Sequence, residues 1–274
     1  MSFKQKAKLL IESFEVPIET DIIEPATKVI MAVGIFLCAI LFRYGHYQDL
    51  IPMVAYGKQD FSGITAQHET TASAILKDGV QAIFPSEWRD KTDTSLIQYP
   101  PGYGLMLSAI YYVNGRDPSG VQFVQGILGS IAAVLVFLIA LEIFNRYVAL
   151  IAGLATAISH HLAYYSMLMI PDGVVPVFTL AGTYFFIRAF KVSWDKDKGY
   201  LELALAGLFY GLSCWIRANV LLVWVFLGLV LLISRSYLVD PLKRVALLTF
   251  ILLLVISPLT VRNYLIYDEF IPIS

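Results

Sequence analysis

The sequence predicts an all-α polytopic membrane protein, and three observations lead to that fold class. Hydrophobic residues make up 58% of the 274 residues, whereas charged residues make up only 15%. Soluble domains carry about 25% charged residues, so this chain has too few of them to cover a soluble surface. The apolar residues are also grouped in long runs between short polar segments, which is the pattern of helices that cross a bilayer. The net charge of −1 gives no reason to expect a nucleic-acid partner.

Seven of the apolar runs are predicted to be membrane spans, because a crossing helix needs about 20 mostly apolar residues. The first run is short, but Lys28 and Arg43 at its ends can extend their charged groups toward water. The predicted spans are residues 29–42, 121–141, 148–169, 174–187, 201–215, 220–233 and 245–261.

One further apolar run, residues 105–113, is interpreted differently. It is too short to cross a hydrocarbon core of about 30 Å at a rise of about 1.5 Å per residue. We predict that residues 99–115 form a helix that lies in, or dips into, the outer leaflet. Pro100 and Pro101 would begin this helix, and Asn114-Gly115 would end it.

The distribution of basic residues predicts the orientation of the chain. If the N-terminus is cytoplasmic, the segments 1–28, 142–147, 188–198 and 235–244 are cytoplasmic, and together they hold twelve Lys and Arg residues, of which Arg146 is the one in 142–147. The short outward segments 166–173 and 216–219 hold only Arg217, in agreement with the positive-inside rule.

This orientation divides the chain into three parts. Residues 1–28 are a cytoplasmic segment, residues 29–261 are a transmembrane module, and residues 262–274 begin a segment at the outer face. The module includes an outer loop, residues 44–120, with juxtamembrane helices. Asp172 and this loop would then face the same surface of the plasma (inner) membrane.

Asp172 is the only Asp, Glu, Lys or Arg residue between Tyr147 and Ile187. A charge at membrane depth costs about 3 kcal/mol on insertion scales, so such residues usually face a cavity or a partner. The alternative is structural, because Pro-Asp-Gly before an apolar run is good capping chemistry for a helix N-terminus. The two interpretations are compatible, and the residues alone leave both open.

The outer loop contributes the acidic residues Asp60, Glu69 and Asp78, and His68 precedes Glu69. Residues 69–76 suit a helix that Asp78-Gly79 would end. His68 and Glu69 form a weak metal pair, because adjacent residues point to different faces of a helix. A solvated loop is the simpler explanation for these side chains on composition alone.

Arginine residues follow two other apolar runs. Arg217 and Asn219 lie between two predicted spans. Arg262, Asn263 and Tyr264 come directly after the last predicted span. The arginines either extend toward the interface like ordinary boundary residues or form an anion site, since guanidinium matches phosphate geometry.

Three motifs in this order resemble a known family. They are "YPPGYG" at residues 99–104, "PDG" at 171–173 and "PLTVRNY" at 258–264. The chain from residue 42 onward resembles the polyprenyl-phosphate-dependent glycosyltransferases of the GT-C fold. It is most similar to the bacterial branch related to protein O-mannosyltransferases and aminoarabinose transferases, glycosyltransferase family 39. The resemblance implies a GT-C-type helix bundle.

The resemblance also implies roles for the matched residues. Glu69 and Asp172 would be catalytic carboxylates, with Asp60 as the fallback because His68-Glu69 replaces the family's more usual Asp or Asp-Glu. The other residues expected to bind substrate, with the two arginines holding the lipid phosphate, are Arg217, Arg262, Asn263, His68, Tyr99 and Tyr103.

The expected reaction is transfer of a sugar from a polyprenyl-phosphate donor to a lipid, glycan or protein acceptor at the extracytoplasmic face. The resemblance fixes no cofactor for this chemistry, and it leaves a divalent metal open. The alternatives are a multi-pass transporter or lipid flippase, and a non-catalytic GT-C-like subunit. Family members usually continue beyond the segment that ends here at Ser274, so a fragment or a minimal member is expected.

Overall fold

The computed structural model describes residues 24–55, 64–85, 98–192, 199–233 and 241–273. Asp60 lies outside these described residues. Within them every regular element is helical, which confirms the predicted fold class. The helices are α1 Pro25–Ala55, α2 Ile64–Asp78, α3 Gly102–Asn114, α4 Pro118–Ile143, α5 Arg146–Ala157, α6 His160–Met167, α7 Val175–Val192, α8 Tyr200–Ile216, α9 Leu221–Ile233 and α10 Pro241–Tyr267. Three 3-10 turns accompany them, at Gly79–Ala82, Pro171–Gly173 and Ala218–Val220.

Three helices of the described chain are long and apolar enough to cross a membrane: α1 within Pro25–Gln48, α4, and α10 within Leu242–Tyr267. The pair α5 and α6 forms a fourth candidate span if it is counted as one. The apolar helices α8 and Ala218–Val230 are shorter, so the prediction of seven spans stays a prediction. The chain is a multi-pass membrane protein by the length and composition of its helices.

The predicted span 148–169 is not one straight helix, because it breaks into α5 and α6 with a bend of 48°. Ser159 begins α6, and its side chain accepts a hydrogen bond from the Leu162 N–H. Arg43 of α1 is buried and donates to the Ala157 carbonyl at the end of α5, over 3.3 Å. A break at this depth is tolerated because neighbouring groups bind the freed backbone atoms.

The helices pack into two groups that contact each other through α4 and α7. One apolar cluster joins α1, α4 and α5, and a second joins α7, α8 and α10. A third cluster contains residues of α2, α3, α4 and α8 together with Met169 and Val174 from either side of the Pro171–Gly173 turn. The two helices of the outer loop therefore pack on the same end of the bundle as Asp172.

Candidate active site

Helix α3, Gly102–Asn114, lies within the residues 99–115 that the sequence predicted to be helical. Its location in the outer leaflet stays a prediction. The helix ends at Asn114, and Gly115 follows with a φ of 73°, a left-handed conformation that favours glycine. At its other end, a Cβ added to Gly102 would lie 2.5 Å from the Trp215 carbonyl oxygen. Glycine therefore allows α3 to contact the end of α8 directly, two residues before Arg217.

Asp172 and Arg217 form an ion pair at this contact. The Arg217 Nη2 group donates to Oδ2 of Asp172, whose side chain is 46% exposed. Within the described residues the Asp172 carboxylate accepts this hydrogen bond and no other. Asp172 therefore binds a guanidinium rather than capping α7. The Nε atom of Arg217 is buried and has no hydrogen-bond partner. The pair thus leaves one buried guanidinium donor of Arg217 unpaired.

His68 lies in the same site, buried between two aromatic rings. Its ring centroid is 5.5 Å from that of Tyr99 and 5.0 Å from that of Tyr103, and its Nε2 atom has no hydrogen-bond partner. Burial and the positive charge of Arg217 lower the pKa of His68 to about 4, while the charge of Asp172 opposes them. His68 is therefore a neutral imidazole at physiological pH, within electrostatic reach of the Asp172–Arg217 pair.

Glu69 is adjacent in sequence but is held differently. Its Oε1 atom accepts a hydrogen bond from the Tyr111 hydroxyl, and Oε2 accepts two from Arg116, at 2.9 and 3.1 Å. The Glu69 side chain is 5% exposed, whereas that of Arg116 is 66% exposed. Both oxygens of Glu69 are thus occupied, and the carboxylate ties α2 to α3 and to the loop that follows α3.

Gln125 of α4 connects α3 to the backbone before Asp172. Its Oε1 atom accepts a hydrogen bond from the Tyr103 hydroxyl over 2.6 Å. Its Nε2 group donates to the carbonyl oxygens of Ser166 and Leu168, at 3.1 and 2.7 Å. The sequence analysis missed this residue, although an amide inside an apolar span is a signal of a functional or structural contact.

We expect Gln125→Leu to lower the free energy of unfolding by about 1–3 kcal/mol, because it leaves buried polar groups without a partner. The Tyr103 hydroxyl and two carbonyl groups lose their hydrogen bonds, while the side-chain volume changes little. The unfolding midpoint in detergent measures the effect. Gln81→Leu, at an exposed glutamine, is the matched control. Equal midpoints for the two variants would contradict the bridging role of Gln125.

Arg262 and Asn263 lie near the C-terminal end of α10. Arg262 donates to Asn263 Oδ1 at 2.6 and 2.9 Å, and Asn263 Nδ2 donates to the Ile271 carbonyl at 3.1 Å. Arg262 also lines a cavity of about 340 Å³ beside Phe84 and Pro85. Asn263 therefore connects α10 to the segment that follows it.

The described residues contain no group of three or more His, Cys, Asp or Glu side chains that could hold a metal ion. Asp60, one of the acidic residues of the outer loop, lies outside the described part of the chain.

Residues 98–261 match the model of the dolichyl-phosphate-mannose-protein mannosyltransferase family. This match covers more than half of the 274 residues. The chain belongs to this family. No curated protein and no solved structure matched the chain.

Membership in the family establishes the class of protein, and the match includes the candidate site. The matched residues include α3, the Pro171–Gly173 turn and Arg217, and the apolar helices make the chain a membrane protein. The chain is thus a membrane glycosyltransferase with a GT-C-like fold, as the resemblance implied.

Proposed function

We propose that this protein transfers a sugar from a polyprenyl-phosphate donor to an acceptor at the extracytoplasmic face of the plasma membrane. The family match supports this class of donor, since the description of the family names dolichyl-phosphate-mannose. The observation that carries the proposal is the Asp172–Arg217 pair, with the buried Nε atom of Arg217 lacking a partner. A guanidinium with an unused donor suits an incoming phosphate.

Arg217 is proposed to stabilise the departing phosphate. When the bond between the sugar and the phosphate breaks, negative charge grows on the phosphate oxygen. A fixed hydrogen-bond donor at that position lowers the reaction barrier more than it stabilises the bound polyprenyl-phosphate sugar. Asp172 accepts a hydrogen bond from the guanidinium and so holds it in place.

The donor's polyprenyl chain needs an apolar path that ends near this phosphate site. A cavity of about 470 Å³ begins at Asp172 and runs between α4, α5, α6 and α7. Apolar side chains line much of it, among them Val136, Leu162, Pro176 and Leu180. Its volume lies in the usual range for small-ligand sites, about 300–1,000 Å³. We propose that the first isoprene units lie in this cavity.

The other predicted residues are assigned by their surroundings. Glu69 is proposed to hold the outer loop over the site, because both of its oxygens are already bound by neighbours. Tyr99 and Tyr103 are proposed to contact the sugar. Asp60 keeps its predicted role as the fallback catalytic carboxylate. Arg262 and Asn263 keep their predicted roles as residues that bind substrate.

The proposed chemistry is one direct displacement at the anomeric carbon, with inversion as in GT-C enzymes as a class. The bond from the acceptor oxygen to the anomeric carbon forms as the bond to the phosphate breaks. The phosphate leaves with the electron pair, and the acceptor hydroxyl loses its proton to a base. The lipid phosphate is already a good leaving group, so a nucleotide-binding motif is not needed for this step.

The proposal is tested with purified protein in detergent and radiolabelled polyprenyl-phosphate sugars, including mannose. Acceptors are a membrane-lipid extract and Ser/Thr-containing peptides. We expect transfer by the wild type and its loss in Asp172→Ala combined with Glu69→Ala. Asp78→Ala, at an exposed carboxylate at the end of α2, is the control that should retain transfer. Undiminished transfer by the double variant, or none by the wild type with every donor, would defeat the proposal.

A further inference from the structure

We propose that His68 is the general base of the transfer reaction, with Nε2 accepting the proton of the acceptor hydroxyl. This inference rests on the proposed function and assigns the one role that the carboxylates of the site leave unfilled. A general base must present an atom with a free lone pair within hydrogen-bond reach of the acceptor. Three features of the structure point to Nε2 of His68.

The first feature is the unused hydrogen-bonding capacity of the imidazole. His68 is 2% exposed, and its Nε2 atom is buried without a partner. Buried polar atoms in folded proteins are nearly always paired, so an unpaired nitrogen is a candidate contact for a substrate. Arg217 Nε is the other such atom among the described residues, and its charge acts on His68. Two unpaired atoms in one site fit the phosphate of the donor and the hydroxyl of the acceptor.

The second feature is that the two carboxylates already have cationic partners. Glu69 is bound on both oxygens by Tyr111 and Arg116. Asp172 is bound by Arg217. If either carboxylate took the acceptor's proton, its ion pair would lose its charge during the reaction. Protonation of His68 breaks no hydrogen bond of Nε2 within the described residues.

The third feature is the electrostatic surroundings of the imidazole. Burial and the positive charge of Arg217 lower the pKa of His68 and keep its ring neutral, and the charge of Asp172 opposes them. Tyr99 and Tyr103 flank the ring. When the donor is bound, its phosphate offsets the charge of Arg217, and the imidazolium becomes easier to form. The negative charge of the departing phosphate thus favours proton transfer at the moment it occurs.

The transfer is balanced in atoms and electrons. The acceptor oxygen forms its bond to the anomeric carbon, and the carbon–oxygen bond to the phosphate breaks with its electron pair on the phosphate. The hydroxyl proton moves to Nε2 of His68. The imidazolium then releases that proton to water or to the departing phosphate, which restores the neutral ring for the next cycle.

The test compares His68→Ala and His68→Gln with the wild type in the transfer assay above. We expect kcat to fall by about 10²–10⁴-fold, the usual contribution of a general base, with KM for the donor changed far less. His160→Gln, at an exposed histidine of α6 that stacks on His46, is the matched control and should transfer normally. Size-exclusion elution and the unfolding midpoint show whether each variant is folded. If His68→Ala does not fold, His68→Gln carries the test.

Chemical rescue distinguishes a base from a merely structural ring. Added imidazole should restore transfer by His68→Ala, because it can enter the space left by the side chain. The wild type should lose kcat/KM only as the pH falls toward about 4, where His68 gains its proton. The rescued variant should instead lose activity near pH 6.5, since an unperturbed imidazole has a pKa of about 6.5.

The outcomes separate the two proposals. Transfer by the wild type with unchanged transfer by folded His68→Gln would overturn the assignment of His68 and leave the proposed function standing. So would a His68→Ala variant that imidazole does not rescue while the protein is folded. Failure of the wild type with every donor would overturn both.

Discussion

Arg217→Ala should lower kcat for sugar transfer by about 10²–10³-fold, the effect of removing one fixed donor from a developing negative charge. The guanidinium reaches the site from the end of α8, directly opposite Asp172. The substitution removes the donor for the phosphate and leaves Asp172 without its cation. Arg217→Lys keeps the charge but loses the planar geometry that binds two oxygens at once. We therefore expect its activity to lie between those of the wild type and the alanine variant.

Single-turnover kinetics with a saturating polyprenyl-phosphate sugar measures this effect without the contribution of product release. A matched control is Arg188→Ala, because Arg188 lies on α7 and donates to Tyr184 rather than to a residue of the site. Equal single-turnover rates for Arg217→Ala and the wild type would show that Arg217 does not contact the reacting phosphate. A change confined to KM would assign Arg217 to donor binding alone.

Glu69→Ala should reduce both stability and activity, because its carboxylate ties α2 to α3. Removing one partner of a buried ion pair can cost about 3–5 kcal/mol. Arg116 is 66% exposed and can return to water, so the loss should be smaller, about 1–3 kcal/mol. Displacing His68 by even 1 Å should lower the transfer rate by about 10²-fold, since reaction rates depend steeply on alignment.

A double-mutant cycle with Arg116→Ala measures the pair directly. We expect Glu69→Ala and the double variant to unfold at nearly the same denaturant concentration, because the second substitution removes a group that already lacks its partner. Glu69→Gln keeps an oxygen that can accept from Tyr111 and should recover part of the stability. A Glu69→Ala protein as stable as the wild type but inactive would show that Glu69 acts on the substrate itself.

The site depends on contacts between segments that are far apart in the chain. Thr65 of α2 donates to the Met169 carbonyl at 3.2 Å, and so joins the outer loop to the segment just before Asp172. Gln122 of α4 donates to the Met167 carbonyl at 2.9 Å on the other side. The Pro171–Gly173 turn is thus held from two directions. This rigidity favours catalysis, because fixed groups need no reorganisation during the reaction.

Sequence alone determined the class of protein and the residues most worth testing. The excess of apolar runs predicted a helical membrane bundle, because a bilayer imposes its requirements on every residue of a span independently. Asp172 stood out as an isolated charge in such a run, and a helix was predicted within residues 99–115 for the same local reason; the structure has it at Gly102–Asn114. Both depend on composition within a short window.

Only the tertiary structure decided which of these side chains work together. The bend between α5 and α6 depends on Arg43, more than 100 residues away in the chain, and no local pattern reveals that contact. The engagement of Glu69 by Arg116, and the unpaired Nε2 atom of His68, likewise depend on how α2, α3 and the Asp172 turn pack. Burial and pairing are properties of three-dimensional neighbours, and they distinguish a carboxylate whose oxygens are both paired from an imidazole whose Nε2 atom is unpaired.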